Sequence, residues 1–516
     1  GLPAAGKVYV APRSLSIAAG PLTLPTAGQY TGPMKILFVL NVPHAIEPQG
    51  VMMLIALCRR HNHEVGLTLL AKENLAARAR AFQPDVVAYS VIGSEVDDFK
   101  RADQALLAHC AASGRRVFRI MGGPHPTFAP QVLDEMGLDA ICQGDGERAL
   151  PALLARLERN EPLEGIPNIA LTSAGAPLRE RLNSDELDGL PFPDRELYFK
   201  AVPFLQPTGL RSFLTGRGCP YSCSFCYNDA YNRAFAGCGS VLRRRSVENI
   251  LAEIEEVRDK YPPLGFIRLF HDTFSFRADA WLEEFAEKYP KRIGVPFYCL
   301  MRANTFTEET ARLLKKAGCY TVAMSIEAGS ERVRNGILGR NLSDDEMRRA
   351  FDLAHRNGLR IYSNTMVGIP GTTLEDDFES LEFTRSLRPT VPTFSVCFPS
   401  RGTKLAEYAL ENGFLHPGDD LLKRFSGESP LTTHSEHDKG ILSRIACFGP
   451  MYCILPRFMT PVIRRMILLP VPLPLARRLG HAFTLFNMAT RVFRNAIPRN
   501  PLTLARAAWE SIRYFW

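Results

Sequence analysis

The first recurring pattern in the chain is an alternation of short apolar runs with longer amphipathic stretches, from Met34 to Gly175. The apolar runs are KILFVL, DVVAYSV, RVFRIMGG and DAICQG. Stretches with helical spacing, such as QGVMMLIALCRRH, lie between them. Strand–helix alternation of this kind predicts an α/β domain with a parallel sheet and helices on both faces.

Ligands of such sheets bind beyond the carboxyl ends of the strands. Three short segments fall there: residues 90–93, 122–125 and 144–147. The paired glycines Gly122 and Gly123 permit close approach of the backbone to a bulky ligand, and a plain tight turn is the alternative interpretation. No G-x-G-x-x-G follows the first strand, which disfavours an ordinary dinucleotide site.

A second alternating series runs from residue 206 to residue 405. Its predicted strands are RSFLTGRG, FIRLFHD, PFYCLMR, TVAMSIEA, RIYSNTMVGIP and TFSVCFP. Six strand–helix repeats predict a partial (β/α)6 barrel, whose functional residues lie at the carboxyl ends of the strands. Residues 176–205 carry proline and charge without clear periodicity and are predicted to link the two domains.

The two ends of the chain have a different character. Residues 1–33, rich in Ala, Gly and Pro, are predicted to be a flexible extension without the layout of a signal peptide. Residues 406–516 are predicted to be mostly helical, and from residue 441 onward they hold eleven Arg, no Lys and one acidic residue. No apolar stretch reaches the ~18 residues of a membrane-spanning helix. This basic, apolar, proline-broken segment suits an anionic membrane surface, or a helical cap over the barrel with a solvated basic face.

Three of the twelve cysteines indicate a metal centre. Cys219, Cys223 and Cys226 follow the first barrel strand in a C-x3-C-x2-C pattern. A structural zinc site takes four ligands, and no C-x2-C partner pair lies near these three. An iron–sulfur cluster held by three thiolates leaves one iron open to an amine and a carboxylate. The nine other cysteines are predicted to be buried structural thiols in a reducing compartment.

With Phe225 and Tyr227 on either side of Cys226, this motif resembles the [4Fe–4S] motif of radical S-adenosylmethionine (SAM) enzymes. The resemblance covers roughly residues 200–405. It implies that the open iron chelates the methionine part of SAM. An electron from the cluster then cleaves SAM to a 5′-deoxyadenosyl radical, which abstracts a substrate hydrogen.

Later segments resemble the SAM contacts of that family. FHDTF resembles the segment that meets the SAM amine, SIEAGSE the one near the ribose and methionyl groups, and VGIPGTT the one at the adenine. The resemblance implies that Arg302 holds the SAM carboxylate, and a surface or core role is the alternative interpretation. The SAM-binding residues implied by the resemblance are Tyr227, Asp272, Arg302, Ser325, Glu327 and Ile369.

The first domain resembles the cobalamin-binding domain of class B radical SAM proteins, a Rossmann-like fold, in MKILFVL, QPDVVAYS and IMGGPHPT. The resemblance implies that the loops at Ser90, Gly122 and Gly123 wrap the lower nucleotide tail of cobalamin. Domains that ligate cobalt through histidine carry D-x-H-x-x-G, whereas this chain has NVPHAIEPQG. His44 and His125 are therefore predicted to be loop or core histidines.

The two resemblances imply a cobalamin-dependent radical SAM enzyme, a methyltransferase that methylates an unactivated carbon. One alternative is cyclisation or oxidative rearrangement of a tetrapyrrole-like or lipid-like substrate, as in the anaerobic magnesium-protoporphyrin monomethyl ester cyclases. Another is a non-catalytic cobalamin or iron–sulfur sensor. RNA modification is a further alternative, but no RNA-binding signature is visible.

The expected partners follow from these implications. They are a small, hydrophobic substrate and an electron donor such as flavodoxin or ferredoxin, with no nucleic acid. A cytoplasmic location is expected, with peripheral contact at the inner face of the membrane through residues 441–516.

Overall fold

The computed structural model describes residues 32–493, apart from residues 45, 176 and 417–428. The predicted N-terminal extension lies almost entirely outside the described residues. The last part of the arginine-rich segment, residues 494–516, lies outside them as well.

The first domain is a six-stranded sheet in the order β2-β1-β3-β4-β5-β6, parallel except for the β5–β6 pair. Side chains of β1 alternate between the two faces: Ile36 and Phe38 join one apolar cluster, Leu37 and Val39 the other. Strands buried on both faces have continuous apolar sequences, which explains the KILFVL run. The elements in chain order are β1 (Lys35–Leu40), α1 (Gln49–Arg60), β2 (Glu64–Leu69), α2 (Leu75–Phe82), β3 (Val86–Ser90), α3 (Val96–Ser113), β4 (Phe118–Gly122), α4 (Pro124–Phe128), α5 (Val132–Met136), β5 (Ala140–Cys142), α6 (Ala149–Arg159) and β6 (Ile169–Ala170).

Residues 176–205, the predicted linker, contain two short helices, α7 (Ser184–Gly189) and α8 (Arg195–Ala201). Tyr198 and Phe199 of α8 are buried in the core of the first domain. The Tyr198 hydroxyl donates to the carbonyl of His44 at 2.8 Å and accepts from its N–H at 2.7 Å. This segment therefore packs against the first domain and fixes the loop after β1.

The second domain is an open barrel of six parallel strands in the order β14-β13-β12-β11-β10-β7. All six predicted strands are present, and this architecture confirms the predicted fold class. The elements in chain order are β7 (Leu210–Leu214), β8 (Gly216–Arg217), α9 (Tyr227–Ala234), β9 (Arg243–Arg244), α10 (Val247–Lys260), β10 (Phe266–Phe270), α11 (Ala280–Arg292), β11 (Phe297–Leu300), α12 (Glu308–Ala317), β12 (Cys319–Ala323), α13 (Asp344–Arg356), β13 (Arg360–Val367), α14 (Leu374–Leu387), β14 (Val391–Val396) and α15 (Lys404–Glu411).

Local signals set the ends of the barrel helices. The Thr307 hydroxyl caps α12, and Gly318, at φ +94°, ends it in the left-handed region. Ser343 and Glu346 form a capping box at the start of α13. Such caps satisfy backbone groups that have no partner inside the helix.

The edge strand β7 is covered by polar side chains rather than by another strand. Gln49 Nε2 and Arg195 Nη2 each donate to the Ser212 carbonyl at 2.9 Å, and Arg245 Nη1 donates to the Leu214 carbonyl at 2.9 Å. Glu253 accepts from both arginines in this buried cluster. The first domain and α8 therefore complete the barrel on this side.

The C-terminal region is helical, as predicted, with α16 (Glu436–Ile454), α17 (Thr460–Leu468) and α18 (Leu473–Asn487). Helix α16 packs on β14 and α14 through an apolar cluster that includes Leu442, Phe448 and Leu381. Val492 and Phe493 join an apolar cluster with Phe266. No helix among the described residues has the length and apolar character needed to cross a membrane.

Candidate active site

The three cysteines lie on a loop of residues 218–226, named here the cysteine loop, between β8 and α9. Its backbone is held at Ser224, whose N–H donates to the Leu338 carbonyl at 3.0 Å. The Ser224 carbonyl in turn accepts from the Leu405 N–H at 2.9 Å. Segments that follow two different barrel strands therefore fix the cysteine loop.

Two donors approach the sulfur atoms of the cysteine loop. Arg302 Nη1 lies 3.4 Å from Cys223 Sγ, and the Asn228 N–H donates to Cys226 Sγ at 3.4 Å. Burial raises the pKa of the Cys226 thiol to about 11, and coordination to a metal would oppose this by favouring the thiolate. Donors aimed at sulfur are among the groups that tune iron–sulfur clusters.

A single-ion site receives no support from the geometry. Within the part of the chain that the structure describes, no three His, Cys, Asp or Glu side chains converge on the position of one metal ion. Cys238, the nearest other cysteine in sequence, places its Sγ 3.7 Å from the Ala236 carbonyl. Six of the nine other cysteines are buried, and the remaining three, Cys110, Cys238 and Cys453, are half-buried.

Asp272, just beyond β10, accepts hydrogen bonds from residues at both ends of the cysteine loop. Its Oδ2 accepts from the Gly218 N–H at 3.0 Å, and its Oδ1 accepts from Asn228 Nδ2 at 2.7 Å. Both carboxylate oxygens therefore order the two ends of the cysteine loop. The sequence predicts a contact between Asp272 and the SAM amine, and that contact stays a prediction.

Arg302, just beyond β11, is buried beside the cysteine loop. Its guanidinium lies over the Tyr221 ring at 3.9 Å, and its Nη2 donates to the Arg340 carbonyl. Its Nε is buried and has no hydrogen-bond partner among the described residues. A buried cation with an unused donor is a suitable anchor for a carboxylate.

Ser325 and Glu327 follow β12 and meet a second buried arginine. Arg340 Nη1 donates to Glu327 Oε1 at 3.1 Å, and Arg340 Nη2 donates to the Ser325 carbonyl at 3.1 Å. Burial raises the pKa of Glu327, although Arg340 opposes this effect. Glu327 also has φ +67°, a strained conformation for a residue with a side chain. Such strain concentrates at functional sites.

Ile369, beyond β13, lies on a tight turn close to the cysteine loop. Gly368 precedes it with φ +67°, and the Gly368 N–H donates to Asp377 Oδ1 at 2.8 Å. Ile369 is buried in an apolar cluster with Ala328, against which Phe225 of the cysteine loop packs. The predicted residues at the ends of β10 to β13 thus surround one loop.

A cavity of about 480 Å³ lies at the carboxyl ends of the first sheet and is named here the interdomain cavity. The predicted residues Ser90, Gly122 and Gly123 all line it. Gly123 has φ +101°, and a Cβ there would lie 2.8 Å from the Val91 carbonyl oxygen, so only glycine fits. The lining residues of the barrel are Leu214 and Arg217.

Arg217 joins the two domains at the wall of the interdomain cavity. Its Nη1 lies 3.1 Å from Asp145 Oδ1, and its Nη2 pairs with Glu147. Arg243 Nη1 lies 2.5 Å from Asp145 Oδ2. Burial alone would raise the pKa of Asp145, but the two arginines outweigh it and hold that pKa below its usual value. We call these four residues the arginine–carboxylate clamp.

An aromatic stack also bridges the domains. Phe128, at the end of α4, stacks on Tyr227 with ring centroids 5.0 Å apart and planes 21° from parallel. Tyr227 directly follows the last cysteine of the cysteine loop, and Phe128 follows the Gly122–Gly123 turn of the interdomain cavity. The stack therefore connects the two predicted cofactor sites.

Comparison with known proteins agrees with this arrangement. The Radical SAM superfamily matches residues 213–384, and the B12 binding domain family matches residues 36–154. The chain is a B12-binding radical SAM protein. Both predicted family resemblances are thereby confirmed, and the family implies a [4Fe–4S] cluster, SAM and cobalamin as cofactors.

Individual relatives cover most of this B12-binding radical SAM protein. An uncharacterised methyltransferase of Pyrococcus horikoshii is 27% identical over 74% of this chain and 84% of its own length. The cytidylyl-2-hydroxyethylphosphonate methyltransferase of Streptomyces wedmorensis is 24% identical over 76% and 83%. Anaerobic magnesium-protoporphyrin IX monomethyl ester cyclases match 64% of this chain at 23 and 24% identity.

Among solved structures, the cobalamin-dependent SAM radical enzyme OxsB, with aqua-cobalamin and SAM bound, superposes with a TM-score of 0.65. The superposition covers 93% of this chain and 75% of the OxsB chain, at 14% sequence identity. Similarity at this level of sequence identity shows that the two proteins share a fold.

The residues of this chain fit the cofactors of its family. The cysteine loop offers three thiols with donors toward two of the sulfur atoms. Arg302 and Arg340 are buried, and Arg302 reaches Cys223 Sγ and the Arg340 carbonyl, so two cations stand where an anionic ligand group could be received. The interdomain cavity is walled partly by glycines, which leave room for a bulky ligand.

Sequence reasoning missed several residues of this site. Arg340 lies in the segment GRNLS, which matches no motif, and it reaches Glu327 thirteen residues earlier. Arg217 and Asp145 are 72 residues apart, so no local pattern indicates their pairing. Phe128 follows the GGPHPT segment, but only the fold brings it onto Tyr227.

Proposed function

We propose that this protein is a cobalamin-dependent radical SAM methyltransferase acting on an unactivated carbon. The observation that carries the proposal is the position of Arg217, which lines the interdomain cavity and lies two residues before Cys219. One residue thus borders the place for cobalamin and directly precedes the cysteine loop. The relatives named as methyltransferases support the same conclusion.

The cofactors supply a hydrogen-abstracting organic radical and a methyl group, and the chain supplies binding and orientation. We assign Arg302 and Arg340 to the carboxylate of SAM, because Arg302 reaches both Cys223 Sγ and the Arg340 carbonyl, so the two buried guanidinium groups lie near the position of the cluster. Glu327 is assigned to hydroxyl or amine groups of SAM. Asp272 is assigned to ordering the cysteine loop and to the SAM amine, since each of its oxygens accepts one hydrogen bond there and can accept another.

Exclusion of water is the second task assigned to the chain. Cys223, Arg302, Glu327 and Ile369 are each less than a tenth exposed. Cys219 and Cys226 are half-buried, and Tyr227 and Asp272 are exposed, so the site is closed only on the side of Cys223. Burial on that side protects a reactive intermediate from side reactions. It also favours an enzyme over a non-catalytic sensor, which would need no buried charged residues around an open cluster position.

A second candidate is a radical SAM cyclisation or rearrangement without methyl transfer. It is supported by the anaerobic cyclases among the relatives. The interdomain cavity and the site around the cysteine loop serve either outcome equally well. The fate of the SAM methyl group distinguishes the two.

The test uses the reconstituted protein, methyl-labelled SAM, a reductant and a panel of candidate small molecules under anaerobic conditions. Methyl transfer predicts 5′-deoxyadenosine together with labelled product. Deoxyadenosine with an unlabelled, rearranged product would overturn methyl transfer and support the second candidate. A Cys223→Ala variant serves as control and is expected to give neither product.

Three further proposals concern partners. The substrate is proposed to be a small hydrophobic molecule, and the electron is proposed to come from a flavodoxin or a ferredoxin. A peripheral membrane contact is proposed for residues 441–516, of which the structure describes those up to residue 493.

A further inference from the structure

Exposed apolar side chains are concentrated in one part of the molecule. Of the fourteen exposed large hydrophobic residues in the described chain, seven lie within residues 458–486. Phe458 is 79% exposed and Phe486 is 66% exposed. Groups of exposed apolar side chains are typical of interaction sites, whereas scattered single residues need no explanation. The seven residues are Phe458, Val462, Leu468, Leu469, Leu475, Leu479 and Phe486.

Helix α18 carries three of these side chains on the side that faces away from the protein. Its buried residues include Ala476 and Gly480, and a Cβ at Gly480 would lie 2.3 Å from the Cys447 carbonyl oxygen of α16. Leu475, Leu479 and Phe486 follow at spacings of four and seven residues, which places them on a common side of the helix. The tight packing on α16 fixes that apolar side toward solvent.

Arginines accompany the apolar side chains. Arg457, Arg465, Arg478 and Arg491 are all exposed, and residues 441–493 contain no Asp or Glu. Within the described chain, none of these four arginines forms an ion pair with a carboxylate. The surface is therefore cationic as well as apolar. We name it the arginine face: the seven apolar residues of 458–486 together with these four arginines.

We propose that the arginine face binds the surface of an anionic lipid bilayer. Its apolar side chains would enter the boundary between headgroups and acyl chains, and its arginines would meet lipid phosphates. Two copies of the chain joined through this face would oppose arginine to arginine, which disfavours a dimer as the occupant.

The test uses the full-length protein and needs no cofactor, so its result is independent of the proposed methyl transfer. Extruded vesicles of phosphatidylcholine, with or without phosphatidylglycerol, are sedimented with the protein and the bound fraction is measured. Binding is expected with phosphatidylglycerol and is expected to weaken as salt is added. Each arginine near an anionic surface contributes roughly a five-fold factor in partitioning, so Arg465→Gln with Arg478→Gln should lower binding about 25-fold.

A second pair of variants tests the apolar part. Phe458→Ser with Phe486→Ser should reduce binding while leaving the far-UV circular dichroism and thermal midpoint unchanged, because these side chains are 79% and 66% exposed. The matched control is Leu107→Ser with Arg312→Gln, an exposed apolar residue and an exposed arginine outside the arginine face. This control should bind as the unaltered protein does.

Three results would overturn the proposal. One is no sedimentation with phosphatidylglycerol vesicles. Another is equal binding of the arginine double variant and the control. The third is a dimer in sedimentation velocity that Phe486→Ser dissociates while vesicles remain unbound, which would assign the face to a second copy of the chain.

Discussion

In an Arg217→Met variant, the carboxylates of Asp145 and Glu147 lose the cation that lies between them. Asp145 keeps its contact with Arg243 at 2.5 Å, so the loss falls mainly on Glu147. The Glu147 side chain is 5% exposed, and its Oε2 already lacks a hydrogen-bond partner among the described residues. Removing one partner of a buried ion pair costs about 3–5 kcal/mol. Because Asp145 stays paired, we expect a loss at the lower end of that range, about 3 kcal/mol.

A matched control variant is Arg292→Met, which also removes an arginine that pairs with two carboxylates. Arg292 lies 2.6 Å from Glu248 and 2.6 Å from Glu255, but the Glu248 side chain is 60% exposed. Ion pairs at the surface are worth about 0–1 kcal/mol. Each variant thus removes two ion pairs, but those of Arg217 are buried and those of Arg292 lie nearer the surface.

The measurements are urea unfolding followed by circular dichroism and titration with cobalamin. Midpoints are compared between variants, because a chain of several domains does not unfold in two states. Arg217→Met is expected to lower the midpoint clearly and to weaken cobalamin binding, and Arg292→Met to change neither. Equal midpoints for the two variants would refute the reasoning that burial gives the clamp its strength. A lowered midpoint with unchanged cobalamin affinity would separate the clamp from the cofactor site.

Three other predictions follow from single contacts. Cys223→Ala should abolish iron binding after anaerobic reconstitution, whereas Cys238→Ala should retain full iron content; loss of iron in both would contradict the proposed ligand set. Burial raises the pKa of Asp377 to about 7, so the folded state binds a proton more tightly than the unfolded state, and this stabilisation is lost as pH rises from about 4 to 7. Asp377→Asn should therefore reduce the fall in the free energy of unfolding between about pH 4 and 7, by about 2–4 kcal/mol at most. Identical pH profiles of unfolding for the two proteins would contradict this. Gly480→Ala should cost about 1–3 kcal/mol through overpacking against the facing helix, while Gly189→Ala, with open space around its Cβ, should be neutral in thermal unfolding.

The fold was predictable to the extent that burial leaves a pattern in the sequence. Strands such as β1 are buried on both faces and are therefore continuous apolar runs, which stand out from the amphipathic helices between them. The helices α7 and α8 were missed because they are six and seven residues long and show no full amphipathic period. Their burial depends on contacts with the first domain that sequence spacing does not record.

The site was predictable where its residues follow directly after strands. The cysteines and the residues after β10 to β13 meet because parallel strands place their carboxyl ends together. Arg340 and the clamp were missed because their partners are distant in sequence. Asp145 and Glu147 illustrate the difference: the sequence places their segment at the ligand edge of the sheet, where it does line the interdomain cavity, but nothing in the sequence indicates that both carboxylates pair with Arg217.

The covering of β7 by side chains has a consequence for how the protein can be divided. Two of the donors that satisfy this strand, Gln49 and Arg195, precede the barrel in sequence. A fragment beginning at residue 206 would leave the Ser212 carbonyl and the adjoining strand edge open to water or to another chain. Unpaired strand edges promote aggregation. The barrel therefore does not form a self-contained unit. A chimera that combines this barrel with the first domain of a relative would have to keep α1 and α8 of this chain, because their side chains cover β7.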